Sequence, residues 1–211
     1  MRLPHRTRNS ARFIRRIAGG LIVACALVPI FIAPSMAASK TVVTFFSPWT
    51  SSGSLRSDFH AIETVSGYCW TDSISTSRGD AYRCMSGNSI YDPCFTPSAR
   101  PHAVACASNP FAKRVVLLKL TKRLPSAPTP ATQWLQPHNQ PWGLRLTDGD
   151  TCTFVTGATD AVDGERLNYA CTNSDGWIIG QADHATALWT ARSSDYPSKH
   201  VKRVSIAEVV F

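Results

Sequence analysis

The sequence has no G-x-S-x-G elbow, so the commonest serine-hydrolase signature is missing. It has no C-x-x-C, no H-E-x-x-H and no Cys–His cluster at zinc spacing, which removes the usual zinc signatures. No EF-hand loop, RTX repeat or other internal repeat is present, so calcium-loop and repeat architectures are excluded. Charge is sparse, at 17% of residues. Proline (14) and glycine (12) are near average, which rules out a collagen-like or low-complexity chain. What is present is an apolar fraction of 44% with six tryptophans in 211 residues, which excludes disorder. The length suits one domain or two small ones and is enough to bury a core.

The net charge is +8, which invites a polyanion-binding reading until its distribution is examined. Arg2, Arg6, Arg8, Arg12, Arg15 and Arg16 precede an uncharged apolar run from Ile17 to Ala33, which closes on Ser35-Met36-Ala37-Ala38. This is the order of a secretory signal. Residues 1–38 are therefore expected to be cleaved, leaving 39–211 as a single secreted domain, extracellular or periplasmic. The run is short for a bilayer span. Ile22-Val23-Ala24-Cys25 resembles a lipobox, but apolar residues rather than a polar tether follow it. Arg15-Arg16 is poorly placed for twin-arginine export. Sec export is expected, with membrane attachment only through an uncleaved signal or a lipidated Cys25. Six of the 22 bases and none of the 14 acids lie in this segment, which leaves +2 on residues 39–211. The remaining basic stretch, Lys113 to Arg123, surrounds an apolar strand-like core, so no nucleic-acid partner is expected.

Six cysteines remain after the signal: Cys69, Cys84, Cys94, Cys106, Cys152 and Cys171. An even number in an exported chain reads as three disulfides. Spacing favours the local pairs Cys69–Cys84, Cys94–Cys106 and Cys152–Cys171, each stabilising by about 3 kcal/mol in the chain-entropy model. With no thiol left over, neither a metal site nor a catalytic cysteine is expected.

The fold is predicted to be mainly β: an antiparallel sheet, as a sandwich or open barrel, with a loop-rich, disulfide-braced N-terminal half. Thr41–Phe46 and Lys113–Leu120 have the β-branched and apolar content of strands. Residues 71–110 lack regular periodicity and hold four cysteines among turn formers. Residues 124–141 carry five prolines and read as a surface loop. Beyond them, Trp142–Thr147, Asp148-Gly149 and Thr151–Thr156 make a hairpin. Further strands are expected at Arg166–Cys171, from Trp177, at Ala187–Thr190 and at Val201–Phe211. A turn centred near Ala161-Val162 sets Cys152 opposite Cys171 and Phe154 opposite Tyr169.

Three stretches carry a resemblance: Ser66-Gly67-Tyr68-Cys69-Trp70-Thr71, the run from Asp80 through Arg83-Cys84-Met85 to Asp92-Pro93-Cys94-Phe95, and Cys152 through Gly164-Glu165-Arg166-Leu167-Asn168-Tyr169-Ala170-Cys171. Together they resemble a family of secreted, six-cysteine bacterial extracellular modules, over about residues 65–195. The resemblance implies export, disulfides and a shared fold. It carries over no catalytic residues.

Several residue sets have the chemistry for a site. His60, beside Asp58, has the makings of a general base with Ser86 or Ser89 as nucleophile; Asp183-His184 is a second adjacent pair. Asp163 and Glu165 are a carboxylate pair of the kind glycoside hydrolysis uses. Asp148, Asp150, Asp160, Asp163 and Glu165 offer oxygen ligands of the type calcium takes. Arg83, between Asp80 and Asp92, is placed to pair with one of them and brace the loops. Residues 111–147 carry six bases and no acid, and residues 148–195 carry eight acids and two bases; neutralisation between neighbouring strands accounts for this polarity. Trp49 and Trp134, beside prolines, are the aromatic candidates for an exposed binding surface.

With no catalytic signature and an excess of aromatics, the expected function is non-catalytic recognition of a cell-envelope or environmental ligand: a glycan, peptidoglycan or protein. No cofactor is expected. A secreted hydrolase with an unrecognised site, and an inhibitor or structural envelope protein, are the alternatives.

Overall fold

A computed structural model describes residues 39–97, 101–125, 140–195, 198 and 200–211. Residues 1–38 with Cys25, Trp134, His138 and most of the proline-rich stretch lie outside the described residues. Every regular element among the described residues is a strand. The mainly β, largely antiparallel architecture expected from the sequence is therefore the one observed.

Five strands close a first barrel in chain order: β2 (His60–Asp72), β3 (Ala81–Ser86), β4 (Ser89–Phe95), β5 (Ala103–Cys106) and β6 (Arg114–Leu120). Each neighbour in the meander is antiparallel, and β2 meets β6 in parallel. β2 is long because it serves two partners. Its residues 60–67 pair with β6 and its residues 68–72 pair with β3. The switch falls at Gly67, where a Cβ would lie 2.0 Å from the Met85 carbonyl oxygen. Inside, Cys69, Tyr82, Cys84, Cys94, Val104, Cys106 and Leu118 form a buried cluster.

The second group starts at β1 (Val42–Thr44) and resumes with β7 (Gly143–Leu146), β8 (Thr151–Phe154), β9 (Ala161–Val162), β10 (Glu165–Cys171), β11 (Gly176–Asp183), β12 (Trp189–Asp195) and β13 (His200–Val210). The order is β1-β13-β12-β11-β10-β8-β7, and β7 also pairs with β13, so six antiparallel strands form a ring. Leu144, Leu146, Tyr169, Ile178, Ile206 and Val209 fill its interior. β1 lies parallel to the end of β13, matching Val42 with Glu208 and Thr44 with Val210. The first barrel is thus an insertion between two segments of the second.

All three bridges follow the expected local pairing: Cys69–Cys84 joins β2 to β3, Cys94–Cys106 joins β4 to β5, and Cys152–Cys171 joins β8 to β10. Cys171 faces Cys152 and Tyr169 faces Phe154, with ring centroids 5.3 Å apart. The hairpin tip differs from the expected Ala161-Val162. β9 pairs with the start of β10, and the chain reverses at Asp163 (φ 54°) and Gly164 (φ 79°). Asp-Gly is the pair that accepts two left-handed residues in succession. β12 likewise runs on to Asp195, well past the expected Thr190.

The stretch 71–110, expected to be loop-rich, carries β3, β4 and β5. Apart from the hairpin tip, where Ser89 and Ile90 are exposed, both faces of these strands are largely covered, which removes the alternation that marks a half-exposed strand. Inward lie cysteines and Tyr82; outward, Ala81, Phe95 and Ala105 join Phe46, Phe59, Val115, Trp142 and Val210 in a layer shared by the two barrels. Phe46 stacks edge-on against Phe59 and Trp142, at 5.1 and 5.3 Å.

One charged group crosses this layer. Arg78, 9% exposed, donates through Nη1 to the carbonyls of Phe46 (2.6 Å) and Phe211 (3.1 Å). Its remaining donors grip Asp80, and its guanidinium lies 4.7 Å from the Phe95 ring centroid. Arg78→Met keeps an apolar stem but orphans two carbonyls and Asp80. It is expected to lower unfolding free energy by about 2–4 kcal/mol in urea titration. A loss under about 0.5 kcal/mol would remove Arg78 as the tie.

At the far end of the second barrel, Asp150 accepts hydrogen bonds from the Thr151 and Asn173 amides and the Ser174 hydroxyl, at 2.8, 2.9 and 2.6 Å. Burial pushes its carboxyl upward, but the Ser174 hydroxyl and the surrounding amides hold it below the usual aspartate value. A lowered folded pKa stabilises above the unfolded pKa and is lost as pH falls through the folded one. The stability gap between the parent and Asp150→Asn should narrow as pH drops below about 4. A gap unchanged down to about pH 2 would show that the charge is not what stabilises.

Candidate functional site

The residues proposed for catalysis are scattered. His60 begins β2, whereas Ser86 donates its hydroxyl to the Ser66 carbonyl, 2.8 Å away. Six residues of strand separate the two, about 20 Å. Ser89 pairs with Ser86 across the hairpin and is equally remote. The serine-histidine arrangement is therefore not assembled. Asp58 is held by Arg56 and Lys113, at 3.0 and 3.6 Å, and the Arg56 hydrogen bond keeps its carboxyl below the usual range. Asp183 accepts from the Ala185 amide and Arg203, and His184 stacks by Trp189 with centroids 5.3 Å apart.

Asp163 and Glu165 do converge, but on a cation. Arg192 on β12 donates Nη2 to Asp163 and Nη1 to Glu165, both at 2.8 Å. One guanidinium thus occupies both carboxylates on an exposed hairpin. A depression of about 280 Å³ at the other end of β10 is lined by Ala170, Cys171, Ser174, Asp175, Gly176 and Trp177, and includes neither acid nor His60. The acids offered for calcium are likewise committed elsewhere: Asp150 caps its loop, and Asp163 and Glu165 hold Arg192. The sulfurs of Cys84, Cys94 and Cys106 lie within 4.8 Å of one another, but each is in a disulfide. Charge neutralisation occurs between neighbouring strands, and the ion pairs seen among the described residues join other segments than the two expected. β13 supplies Lys202 to Asp195 and Arg203 to Asp183, while Arg145 reaches Glu208.

Trp49 is half-buried rather than displayed. Its indole N–H donates to the Phe95 carbonyl at 2.9 Å, and its ring packs on the layer between the barrels. Proline neighbours suggested exposure because they mark loops, but this loop is folded back onto an apolar surface.

Among the described residues the exposed tryptophan is Trp70, at 40%. Cys69 points into the barrel, so strand alternation turns the indole of the next residue outward. Cys69 pairs with Cys84 and Thr71 with Arg83, which makes Trp70 an extra residue, a β-bulge, just beyond the disulfide. Two residues earlier, Tyr68 shares the outer face, with the Lys122 ammonium 3.8 Å from its ring centroid. Arg83 lies 5.7 Å from the Trp70 centroid. Thr121 bonds through its amide to the Gly67 carbonyl, which brings Lys122 alongside Tyr68. The result is a strip of two aromatic rings with cations at its margins. The readable signal is Cys69: once its pairing with Cys84 faces it inward, alternation displays the neighbouring tryptophan.

Arg83 is placed by Asp92, whose side chain is only 2% exposed, 3.9 Å away. Asp92 accepts from the Ser73 and Ser75 hydroxyls and the Ile74 amide. Of the two partners considered, Asp80 serves Arg78 and Asp92 serves Arg83. The buried Arg83 Nε makes no hydrogen bond among the described residues, so its tie to Asp92 is mainly electrostatic.

Comparison with protein-family models, curated proteins and solved structures finds no match for this chain. The reading of the site therefore rests on its geometry.

Arg83→Ala is expected to lower the melting temperature, and Asp92→Ala to lower it further, because the second change also orphans two hydroxyls and an amide. A melting temperature for Arg83→Ala equal to the parent's would dismiss its bracing role.

Proposed function

We propose that this chain is an exported, non-catalytic recognition module whose ligand is an acidic glycan of the cell envelope or its surroundings. The observation that carries the reading is the outward strip of Tyr68 and Trp70, bordered by Arg83 and Lys122. Flat aromatic faces stack on the apolar faces of sugar rings. Guanidinium and ammonium groups beside them suit carboxylates on the same polymer. Three disulfides support an oxidising, extracellular setting, as does the signal-like N-terminal sequence. A rigid barrel surface favours binding, because little side-chain order must be imposed when the ligand arrives.

Affinity electrophoresis through gels containing polygalacturonate, with neutral dextran as comparison, tests the reading. The parent should be retarded by the acidic polymer only. Trp70→Ala should abolish the retardation and Trp70→Phe should restore part of it. Equal mobility of the parent and Trp70→Ala in polygalacturonate would overturn the assignment.

A further inference from the structure

We propose that the open edge of β2 from His60 to Ser66 receives an extended acidic segment of a partner protein as an added strand. Over this stretch β2 is hydrogen-bonded on one side only. β6 pairs with residues 60–67, whereas the β3 ladder begins at Tyr68. β3 turns away at Ser86, and no described strand continues along the vacated side. Residues 60–64 are all exposed, and Ile62 is 54% exposed.

The direction of the free groups is set by two bonds. The Gly67 carbonyl faces β6, where it accepts from the Thr121 amide, and the Ser66 carbonyl faces the other way, where it accepts from the Ser86 hydroxyl. Backbone groups alternate along a strand, so the N–H and C=O of Thr64 point to the open edge. The Ser86 hydroxyl closes that edge at Ser66, and the His60 amide, bonded to Lys113, marks its other end. The opening spans about 20 Å, room for about six residues of added strand.

Charge selects the occupant. Register places Arg114 beside His60 and Lys119 beside Ser66, both exposed, and neither has an acidic partner among the described residues. Glu63 is the one carboxylate in this half of β2. A second copy of this chain joined edge to edge would merge two such cationic faces and is disfavoured. The bulge at Ile62, between the Ala61–Val115 and Glu63–Val116 pairs, further discourages indiscriminate pairing. An acidic strand gains main-chain bonds from β2 and ion pairs from β6.

The test uses the oxidised full chain and a fluorescein-labelled (Thr-Glu)5 peptide, with (Thr-Lys)5 as comparison, read by anisotropy. Binding of (Thr-Glu)5 alone is expected, weakening with salt. Thr64→Pro removes the edge donor without touching the β6 ladder and should raise Kd by about tenfold, the effect of one or two lost backbone bonds. Arg114→Glu with Lys119→Glu should do the same by charge, and bound peptide should slow hydrogen exchange at Thr64. Absence of (Thr-Glu)5 binding, equal binding of (Thr-Lys)5, or an unchanged Kd in both variants would overturn the proposal. So would a concentration-dependent dimer in sedimentation that Thr64→Pro abolishes, since the edge would then belong to a second copy. The glycan reading is tested through Trp70 on a different polymer, so either reading can fail alone.

Discussion

A meander of five strands cannot close on itself with antiparallel pairs alone. Its first and last strands run in the same direction, so closure needs one parallel pair, here β2 with β6. That requirement shapes the rest of the first barrel. β2 must offset its two partners along its length, pairing first with β6 and then with β3, and so it is the longest strand. The offset leaves half of β2 open on one edge. It also places the bulge at Trp70 where the β3 pairing has just begun. The open edge of β2 thus arises from the way an odd ring is sealed.

The interior of that ring is small and sulfur-rich. Two disulfides occupy space that longer strands would fill with branched aliphatics, and they pin adjacent strands across β2–β3 and β4–β5. The outer face of the same strands is also largely covered, with alanines at 81 and 105 allowing close approach of the second barrel. Arg78 is the polar exception in this contact, and it is tolerated because the Phe46 and Phe211 carbonyls and Asp80 satisfy its donors. The second barrel is more conventional. Leucine, isoleucine and tyrosine alternate into its core, and ion pairs lie along its surface.

The two halves were unequally legible in the sequence for the same reason. From Trp142 onward, strands are half-exposed, so alternation, the Asp148-Gly149 turn and the Cys152/Cys171 register could be read directly. Between residues 71 and 110 both strand faces are largely covered, and alternation vanishes although the cysteine pairing stays readable from spacing. Site residues were harder still. Trp49 reads as exposed because Pro48 precedes it in a loop, yet its N–H is bound to the Phe95 carbonyl. The display of Trp70 follows from its neighbour Cys69, which the disulfide holds inside the barrel. Asp163 and Glu165 were recognisable as a carboxylate pair, but Arg192 lies 27 residues from Glu165 in the chain, and nothing local announces it.

The insertion of one barrel within the other has a consequence for the order of assembly. Thr44 and Glu208 meet across 164 residues of chain, a contact that random search finds slowly. The first barrel is built from consecutive strands and closes through short loops, so it can form early. Once formed, it removes residues 60–120 from the flexible path and leaves a much shorter effective loop between β1 and β13. The inserted barrel then acts kinetically as a folded bridge, and the parallel seam of β1 on β13 becomes the closing step of the fold.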